Sequence, residues 1–252
     1  MIQIHFAKGC KPTAEVLRLL VEKEQAGESK KVPEVGHVYW GFPGAASPAL
    51  NSKASAFNKL QELEVLAKAG VVTVPFMATK PFAYNAYPVL ARKLKHHGGL
   101  DIILCKGPVG VRKALARGRS FFTQFIPSRT EYRVWVYRGR HLGTYEKVLA
   151  HPEKRHRVGR NHRNGYAFQL VTEANIPRAA VTQAVQSIQA LGLDFGAVDI
   201  LQGNDGRYFV LEVNSAPGVE GEGRQVIQSL AHRIVRWEQA GFPGRKEDVK
   251  QS

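Results

Sequence analysis

The stretch GLDFGAVDILQGNDGRYFVLEVNSAPGVEG, residues 192–221, holds two apolar runs on either side of the turn sequence GNDG. Glycine, asparagine and aspartate between apolar runs are typical of a tight turn. The stretch therefore predicts a β-hairpin of two strands, Phe195–Leu201 and Tyr208–Val213. The few polar residues inside these apolar strands are the first candidates for function.

Two carboxylates and one amide of this hairpin are predicted to lie on a shared face. Alternate residues of a strand point to the same side, so Glu212 and Asn214 share a face, and Asp199 on the partner strand can face them. Carboxylate and amide oxygens suit Mg²⁺ held between protein and phosphates. An unpaired carboxylate on an apolar strand is costly, so the alternative is an ion network with Arg or Lys. The spacing alone leaves both interpretations open.

The hairpin also resembles the metal-binding hairpin of the ATP-grasp enzymes, in particular the branch of ribosomal-protein glutamate ligases and related phage-encoded ligases. In that family, an acidic strand residue and a Glu-x-Asn sequence, followed by a small residue and Pro-Gly, coordinate Mg²⁺ that bridges the ATP phosphates. The resemblance implies that Asp199, Glu212 and Asn214 are metal ligands, and that Pro217 and Gly218 form the turn that follows. It extends from about residue 50 to about residue 225.

The segment YPVLARKLKHHGGLDIILC, residues 87–105, resembles the strand, glycine loop and strand that cover the phosphates in the family. The family usually ends the first strand with Lys, whereas Arg92 stands there in this chain. Arginine also grips phosphate, and glycines let backbone N–H groups approach phosphate oxygens. The phosphate ligands implied by the resemblance are Arg92, Lys93, Gly98 and Gly99, with Lys95 as a further alternative.

The next segment, FFTQFIPSRTEYRVWV, resembles the hinge strand that contacts adenine. The resemblance implies that the backbone around Gln124, Phe125 and Ile126 pairs with the edge of the base. Its second half resembles the acidic-x-Arg strand of the family. Arg133 would then face phosphate or the substrate carboxylate, and Glu131 would orient it. The alternative is a cross-strand salt bridge.

Basic residues further along the chain resemble the family's strand and loop beside the γ-phosphate. Lys147 lies in TYEKVLA, and the loop is VGRNHRNGY, residues 158–166. Because this loop differs in length from that of the family, either Asn161 or Asn164 is the equivalent of its asparagine. The loop residues implied are Arg160, Asn161, Arg163, Asn164 and Gly165.

Composition limits the remaining classes of protein. The 252 residues are 44% hydrophobic and 23% charged, which is ordinary for a folded protein. Two cysteines far apart exclude a disulfide framework and a cysteine-based zinc site. We find neither an apolar run long enough for a membrane span nor a secretory signal, and expect a cytoplasmic protein without a membrane partner. The net charge of +15 favours an anionic partner.

The expected fold class is α+β (α/β), and the resemblance implies the ATP-grasp fold. Two α+β subdomains would clasp ATP, preceded by a shortened N-terminal α/β domain. We expect the short N-terminal region over residues 1–70 and the central subdomain with the phosphate loop over residues 71–125. The C-terminal subdomain with the metal hairpin would span residues 126–252.

The resemblance implies an ATP-dependent carboxylate–amine ligase that uses Mg²⁺ or Mn²⁺ and forms an acyl phosphate. Arg133, Lys147 and Arg163 would act on the reacting groups. The positive charge favours acidic substrates, either small molecules or peptides. One alternative is a basic nucleic-acid-binding protein, and another is a degenerate ATP-grasp scaffold without catalysis.

Overall fold

The computed structural model describes residues 1–27, 34–78, 87–94, 102–154, 158–218 and 223–244. Within these ranges the chain forms three β-sheets and five α-helices. This mixture agrees with the predicted α+β class. No helix in the same ranges is long and apolar enough to cross a membrane.

The N-terminal sheet is parallel and has the order β1-β2-β3. One of its faces packs Ile4, Val38 and Trp40 into a core shared with the first and last helices. Leu17 from the first helix and Leu230 from the last are fully buried in the same core. The bounds are Ile2–Phe6 for β1, Lys11–Ala26 for α1, Gly36–Trp40 for β2, Ala49–Leu50 for β3 and Arg224–Gln239 for α5.

The second sheet is antiparallel, with the order β4-β7-β5-β6, and it carries helix α3 on one face. Its small core contains Val89, Ala91, Val111 and Phe122, all with 2% exposure or less. The bounds are Phe76–Met77 for β4, Val89–Arg92 for β5, Ile103–Cys105 for β6, Pro108–Ala116 for α3 and Phe121–Gln124 for β7.

The third sheet is antiparallel, with the order β10-β9-β8-β11-β12. Helix α4 packs Ala184 and Ile188 against Val198 and Val210 of this sheet. The hairpin predicted from the GNDG turn is confirmed as β11 and β12. The bounds are Lys59–Lys68 for α2, Ser128–Tyr137 for β8, Arg140–Leu149 for β9, Tyr166–Leu170 for β10, Arg178–Ala190 for α4, Phe195–Gly203 for β11 and Tyr208–Asn214 for β12.

Asn51 joins the N-terminal sheet to the start of β11. Its side-chain oxygen accepts from the backbone N–H groups of Asp194 (2.8 Å) and Phe195 (3.0 Å), and its amide nitrogen donates to the Phe195 carbonyl at 3.0 Å. Asn51 is fully buried and has a positive φ of 56°, which asparagine tolerates better than most residues. The three sheets arise from consecutive parts of the chain, while the predicted boundaries at 70/71 and 125/126 stay predictions.

Candidate active site

A cleft of about 990 Å³ opens between the second and third sheets. Its apolar wall includes Leu90, Leu104 and Ile126 from one side and Leu201 and Leu211 from the other. Five cationic side chains and three carboxylates also line the cleft. Positive side chains therefore outnumber negative ones in its lining. These charged residues are Arg92, Arg133, Lys147, Arg160, Arg163, Glu131, Asp199 and Glu212.

Asp199 lies at the centre of a buried ion network. Arg133 donates to both of its oxygens, from Nε at 2.7 Å and from Nη2 at 2.9 Å. Lys147 Nζ donates to Asp199 Oδ2 at 3.0 Å. Burial disfavours the charged carboxylate, but Arg133 and Lys147 outweigh it and lower the pKa of Asp199. Asp199 is therefore a charged carboxylate at neutral pH, and the ion network considered from the sequence is present.

Glu131 pairs with Lys147 and does not orient Arg133 as predicted. The Lys147 ammonium donates to Glu131 Oε1, and the bidentate partner of Arg133 is Asp199. Burial raises the pKa of Glu131, and the opposing effect of Lys147 is smaller. The Phe168 ring lies 4.5 Å from Arg133 Cζ and 5.8 Å from Lys147 Nζ, which fixes both cations against its face.

Glu212 stands directly opposite Asp199 in the β11–β12 pairing, as the alternation predicted. Asn214, two residues further on, donates to Glu212 Oε1 at 3.4 Å. Lys59 Nζ lies 3.3 Å from Glu212 Oε2, and the positive charge of Lys59 is the largest cause that lowers the pKa of Glu212. The predicted cluster of Asp199, Glu212 and Asn214 is therefore assembled, while its metal role stays a prediction.

Sequence reasoning missed Lys59 and Glu62, which approach the hairpin from the first two turns of α2. Glu62 Oε1 accepts the backbone N–H of Val213 at 2.8 Å, and Glu62 Oε2 lies 3.7 Å from Lys59 Nζ. Asn58 begins this helix with a capping box that includes Gln61. The sequence does show a lysine and a glutamate three residues apart at the start of a capped helix. No pattern in the neighbouring sequence, however, indicates that this helix contacts β12.

A bulge in the hairpin shapes the acidic end of the cleft. The register passes from Asp199 opposite Glu212 to Ile200 opposite Val210, so Leu211 is an extra residue in β12. Strict alternation would turn Leu211 away from the side that Glu212 faces. Both residues line the cleft. Bulges redirect side chains beside functional sites in this way.

Arg92 is the phosphate candidate that reaches the cleft. It is only 9% exposed, and its Nε is buried without a hydrogen-bond partner within the described chain. Burial lowers the pKa of Arg92, although arginine remains protonated at neutral pH. A buried donor without an acceptor fits an anionic ligand. Lys93, the neighbouring alternative, does not line the cleft.

The predicted adenine segment, Gln124, Phe125 and Ile126, lines the cleft. The backbone N–H of Gln124 donates to the Pro75 carbonyl at 2.8 Å, and that of Phe125 donates to the Pro88 carbonyl at 3.0 Å. These two amide donors are therefore engaged within the protein. A base edge placed here would have to use Ile126 N–H or carbonyl oxygens of the segment.

The loop of residues 158–165 forms the outer wall of the cleft. Arg160 donates to the Ser128 carbonyl and hydroxyl at 3.1 and 3.0 Å and so ties the loop to β8. Asn161 lines the cleft, whereas Asn164 does not, and the Asn164 side chain donates to the Gly159 carbonyl at 2.8 Å. The geometry thus favours Asn161 over Asn164 as the ligand-facing asparagine.

The structure brings most of the predicted site together. The residues that line one cleft are Arg92, Gln124, Phe125, Ile126, Arg133, Lys147, Asn161, Arg163, Asp199 and Glu212. Asn214 contacts Glu212 beside it, while Lys93 and Asn164 lie outside the lining. The glycines Gly98 and Gly99 and the alternative Lys95 lie outside the described residues. No cluster of three or more His, Cys, Asp or Glu side chains suited to a metal occurs in the described part of the chain.

The family model described as the RimK-like ATP-grasp domain matches residues 56–238, which include the whole cleft. Among curated relatives, a "Probable alpha-L-glutamate ligase" from Picosynechococcus sp. is 24% identical over 227 residues. That alignment covers 84% of this chain and 72% of the relative. The ribosomal protein bS6–L-glutamate ligase of Escherichia coli O81 is 23% identical over 73% of this chain and 64% of the relative.

A solved structure of the ATP-grasp ligase PsnB complexed with minimal precursor superposes with a TM-score of 0.68 at 14% identity. It covers 93% of this chain and 98% of that one. At that identity the likeness shows the fold, and it confirms the ATP-grasp fold predicted from the hairpin. The proteins named here are all ligases, which gives the nucleic-acid alternative no support. With the family model covering most of the chain, this protein belongs to the RimK-like ATP-grasp domain family.

Proposed function

We propose that the chain is an ATP-dependent carboxylate–amine ligase that activates a carboxylate as an acyl phosphate. The observation that carries the proposal is one cleft that combines the opposed carboxylates Asp199 and Glu212, the paired cations Arg133 and Lys147, and the buried Arg92, whose Nε has no hydrogen-bond partner in the described chain. The main electrostatic obstacle to this reaction is the repulsion between a triphosphate and a second anion. Such a cleft can hold the two anions close together because its cations offset that repulsion.

The donor set at the hairpin fits Mg²⁺ or Mn²⁺. Asp199 and Glu212 stand opposite each other, and Asn214 adds an amide oxygen two residues along the same strand. Oxygen donors of this type suit hard divalent cations. Lys59, Arg133 and Lys147 now neutralise the two carboxylates. When bound, the metal would reduce the negative charge of the ATP phosphates and so ease attack by an anionic carboxylate.

In the first step, a substrate carboxylate oxygen attacks the γ-phosphorus of ATP, and the bond to the ADP oxygen breaks. The products are an acyl phosphate and ADP. Arg92 would donate to phosphate, and Arg133 and Lys147 would neutralise the charge that accumulates between the two anions; their place in the cleft lining supports these roles. Arg163, an exposed residue of the cleft lining, would act on the incoming anion.

In the second step, the nitrogen of an amine attacks the acyl carbon, phosphate leaves with its bonding electrons, and the amine proton is released. The product is an amide. We propose an amino acid or a peptide as the carboxylate and amine substrates, and an acidic molecule as one of them. The cationic lining of the cleft supports this assignment, and so do relatives named as glutamate ligases.

The test is ADP release with ATP and Mg²⁺ in the presence of a panel of acids and amines. Asp199→Asn and Glu212→Gln should each lower the rate at least a hundredfold, because each removes a charge that would hold the metal against the phosphates. Asp205→Asn is the matched control, since Asp205 is exposed in the hairpin turn and pairs with Arg207 of the same turn. Its rate should stay within twofold of the parent.

Circular dichroism and thermal midpoints would establish that the variants are folded. Full activity in either cleft variant would contradict the metal assignment. If Asp205→Asn also lost activity, the hairpin would be sensitive to any loss of a carboxylate. The loss of activity in the cleft variants would then not be evidence for a metal site. A panel that yields no ADP with any acid and amine would leave the fold intact but overturn the ligase proposal.

A further inference from the structure

A second concavity, of about 1000 Å³, lies at the end of the third sheet and shares no lining residue with the cleft. It is bounded by the β8–β9 turn, by Gln189 near the end of α4, and by the α5 face from Ser229 to Ala240. Tyr137, at this end of β8, lies four residues beyond Arg133, which corresponds to about 14 Å along the strand. We call this concavity the turn pocket.

Among the described residues, the lining of the turn pocket is basic and includes no carboxylate side chain. Two of these residues have acidic partners: Arg138 lies 3.4 Å from Asp194, and His232 lies 3.3 Å from Glu24. The remaining positive charge comes from three arginines. They are Arg140, Arg233 and Arg236. A surface of one sign attracts ligands of the other sign.

The turn itself holds an arginine in an unusual conformation. Arg138 and Gly139 have φ values of +46° and +79°, the pattern of a two-residue hairpin turn in which asparagine or glycine is usual at both positions. The Arg138 side chain is only 6% exposed, donates to the Pro243 carbonyl at 2.8 Å and lies over the Trp237 ring. Arginine at this position builds the floor of the turn pocket, which a smaller turn residue would not do.

Two polar atoms in the wall lack acceptors. Arg233 Nε and Gln239 Nε2 are buried and have no hydrogen-bond partner in the described chain. Both are N–H donors, and buried donors without acceptors are rare in folded proteins. They lie on α5 in a pocket that already carries excess positive charge. Carboxylate oxygens are acceptors that would satisfy both the hydrogen bonds and the charge.

We propose that the turn pocket binds an acidic peptide segment at a site separate from the cleft. Its volume exceeds what a single carboxylate or phosphate needs, and the amide and hydroxyl groups of Gln189 and Ser229 can pair with a peptide backbone. Single-stranded nucleic acid fits less well, because it needs exposed aromatic faces for its bases. Trp237 is 4% exposed, beneath Arg138 and beside Phe242.

The experiment measures binding of a fluorescently labelled oligoglutamate peptide by anisotropy, without ATP, at physiological ionic strength. The double variant Arg233→Gln/Arg236→Gln should weaken binding at least tenfold, because it removes two guanidinium groups from the wall. The control Arg112→Gln/Arg117→Gln makes the same change of charge at exposed positions around α3 and should change affinity less than twofold. Arg140→Gln, at the exposed first residue of β9, tests the site without altering α5.

Unchanged affinity in both the α5 double variant and Arg140→Gln would overturn the proposal. An equal loss in the α3 control would also overturn it, because the binding would then reflect net charge alone. An RNA oligomer that displaces the peptide and binds more tightly would assign the pocket to nucleic acid instead. The measurement uses neither ATP nor turnover. The peptide-binding proposal can therefore be overturned while the ligase proposal holds, and the ligase proposal can be overturned while the peptide-binding proposal holds.

Discussion

At the scale of single residues, the charges in the cleft are held by partners from distant parts of the chain. Asp199 and Glu212 face each other on neighbouring strands, but their cations come from β8, β9 and α2. Asp199 is buried and Glu212 is partly buried, so removal of a cation leaves a charge that the surroundings solvate poorly. Lys59 is the clearest example, because its ammonium serves Glu212 at 3.3 Å and Glu62 at 3.7 Å.

Lys59→Met should therefore lower the free energy of unfolding at pH 7 by about 2–3 kcal/mol. Lys59 lowers the pKa of Glu212 below its ordinary value of 4.5, so the pair stabilises the folded state above that pH and loses its effect as the pH falls. The difference in the free energy of unfolding between the variant and the parent, measured by urea unfolding, should therefore become smaller at acidic pH. Lys68→Met, exposed on the same helix, is the control. A deficit that does not change with pH would contradict this account.

The same residues show how far sequence reasoning reaches. Strand alternation and turn chemistry predicted that Asp199 and Glu212 face each other, because both rules act over a few residues. Glu131 was assigned to Arg133 through the resemblance to the family's acidic-x-Arg strand, but Lys147 of the neighbouring strand β9 pairs with it instead. Lys59 was missed because the packing of α2 on β12 joins positions about 150 residues apart, and no local pattern records that contact.

At the scale of elements, two irregular features shape the cleft walls. The bulge in β12 directs Leu211 and Glu212 to one side, and a period-2 pattern cannot indicate where such an extra residue falls. The loop of residues 158–165 ends at Gly165, where φ is +82°. A Cβ atom at this position would lie 2.2 Å from the His151 carbonyl oxygen, so glycine is required for space as well as for conformation.

Gly165→Ala should consequently lower the free energy of unfolding by about 2–4 kcal/mol and weaken ATP binding, because the loop must move away from His151. Gly206→Ala is a matched control with nearly the same φ, +83°, and open space where the Cβ would lie. The control should lose only the conformational part, about 1 kcal/mol, and keep its ATP affinity. Urea unfolding and calorimetric titration with ATP measure the two effects, and equal behaviour of the variants would exclude the steric explanation.

At the scale of the whole molecule, the cleft depends on two sheets that come from separate parts of the chain. Arg92 and Gln124 belong to the second sheet, and Arg133, Lys147 and Asp199 to the third. The N-terminal sheet contributes no lining residue to the cleft. The excess of positive charge seen in the composition lies partly in this cleft and partly in the turn pocket, a division that net charge alone could not reveal.

A nucleotide bound in the cleft should therefore stabilise the second and third sheets together and leave the N-terminal sheet nearly unchanged. ATP at about a thousand times its Kd adds about 4 kcal/mol to any opening that destroys the site. Hydrogen exchange with ATP and Mg²⁺ should accordingly slow at amides of β5, β7, β8 and β11, whereas β1 and β2 serve as the internal reference. Slowing confined to one of the two sheets would mean that ATP does not bridge them, and equal slowing in β1 and β2 would indicate a global effect. Either result would contradict a nucleotide held between the Arg92 strand and the Asp199 hairpin.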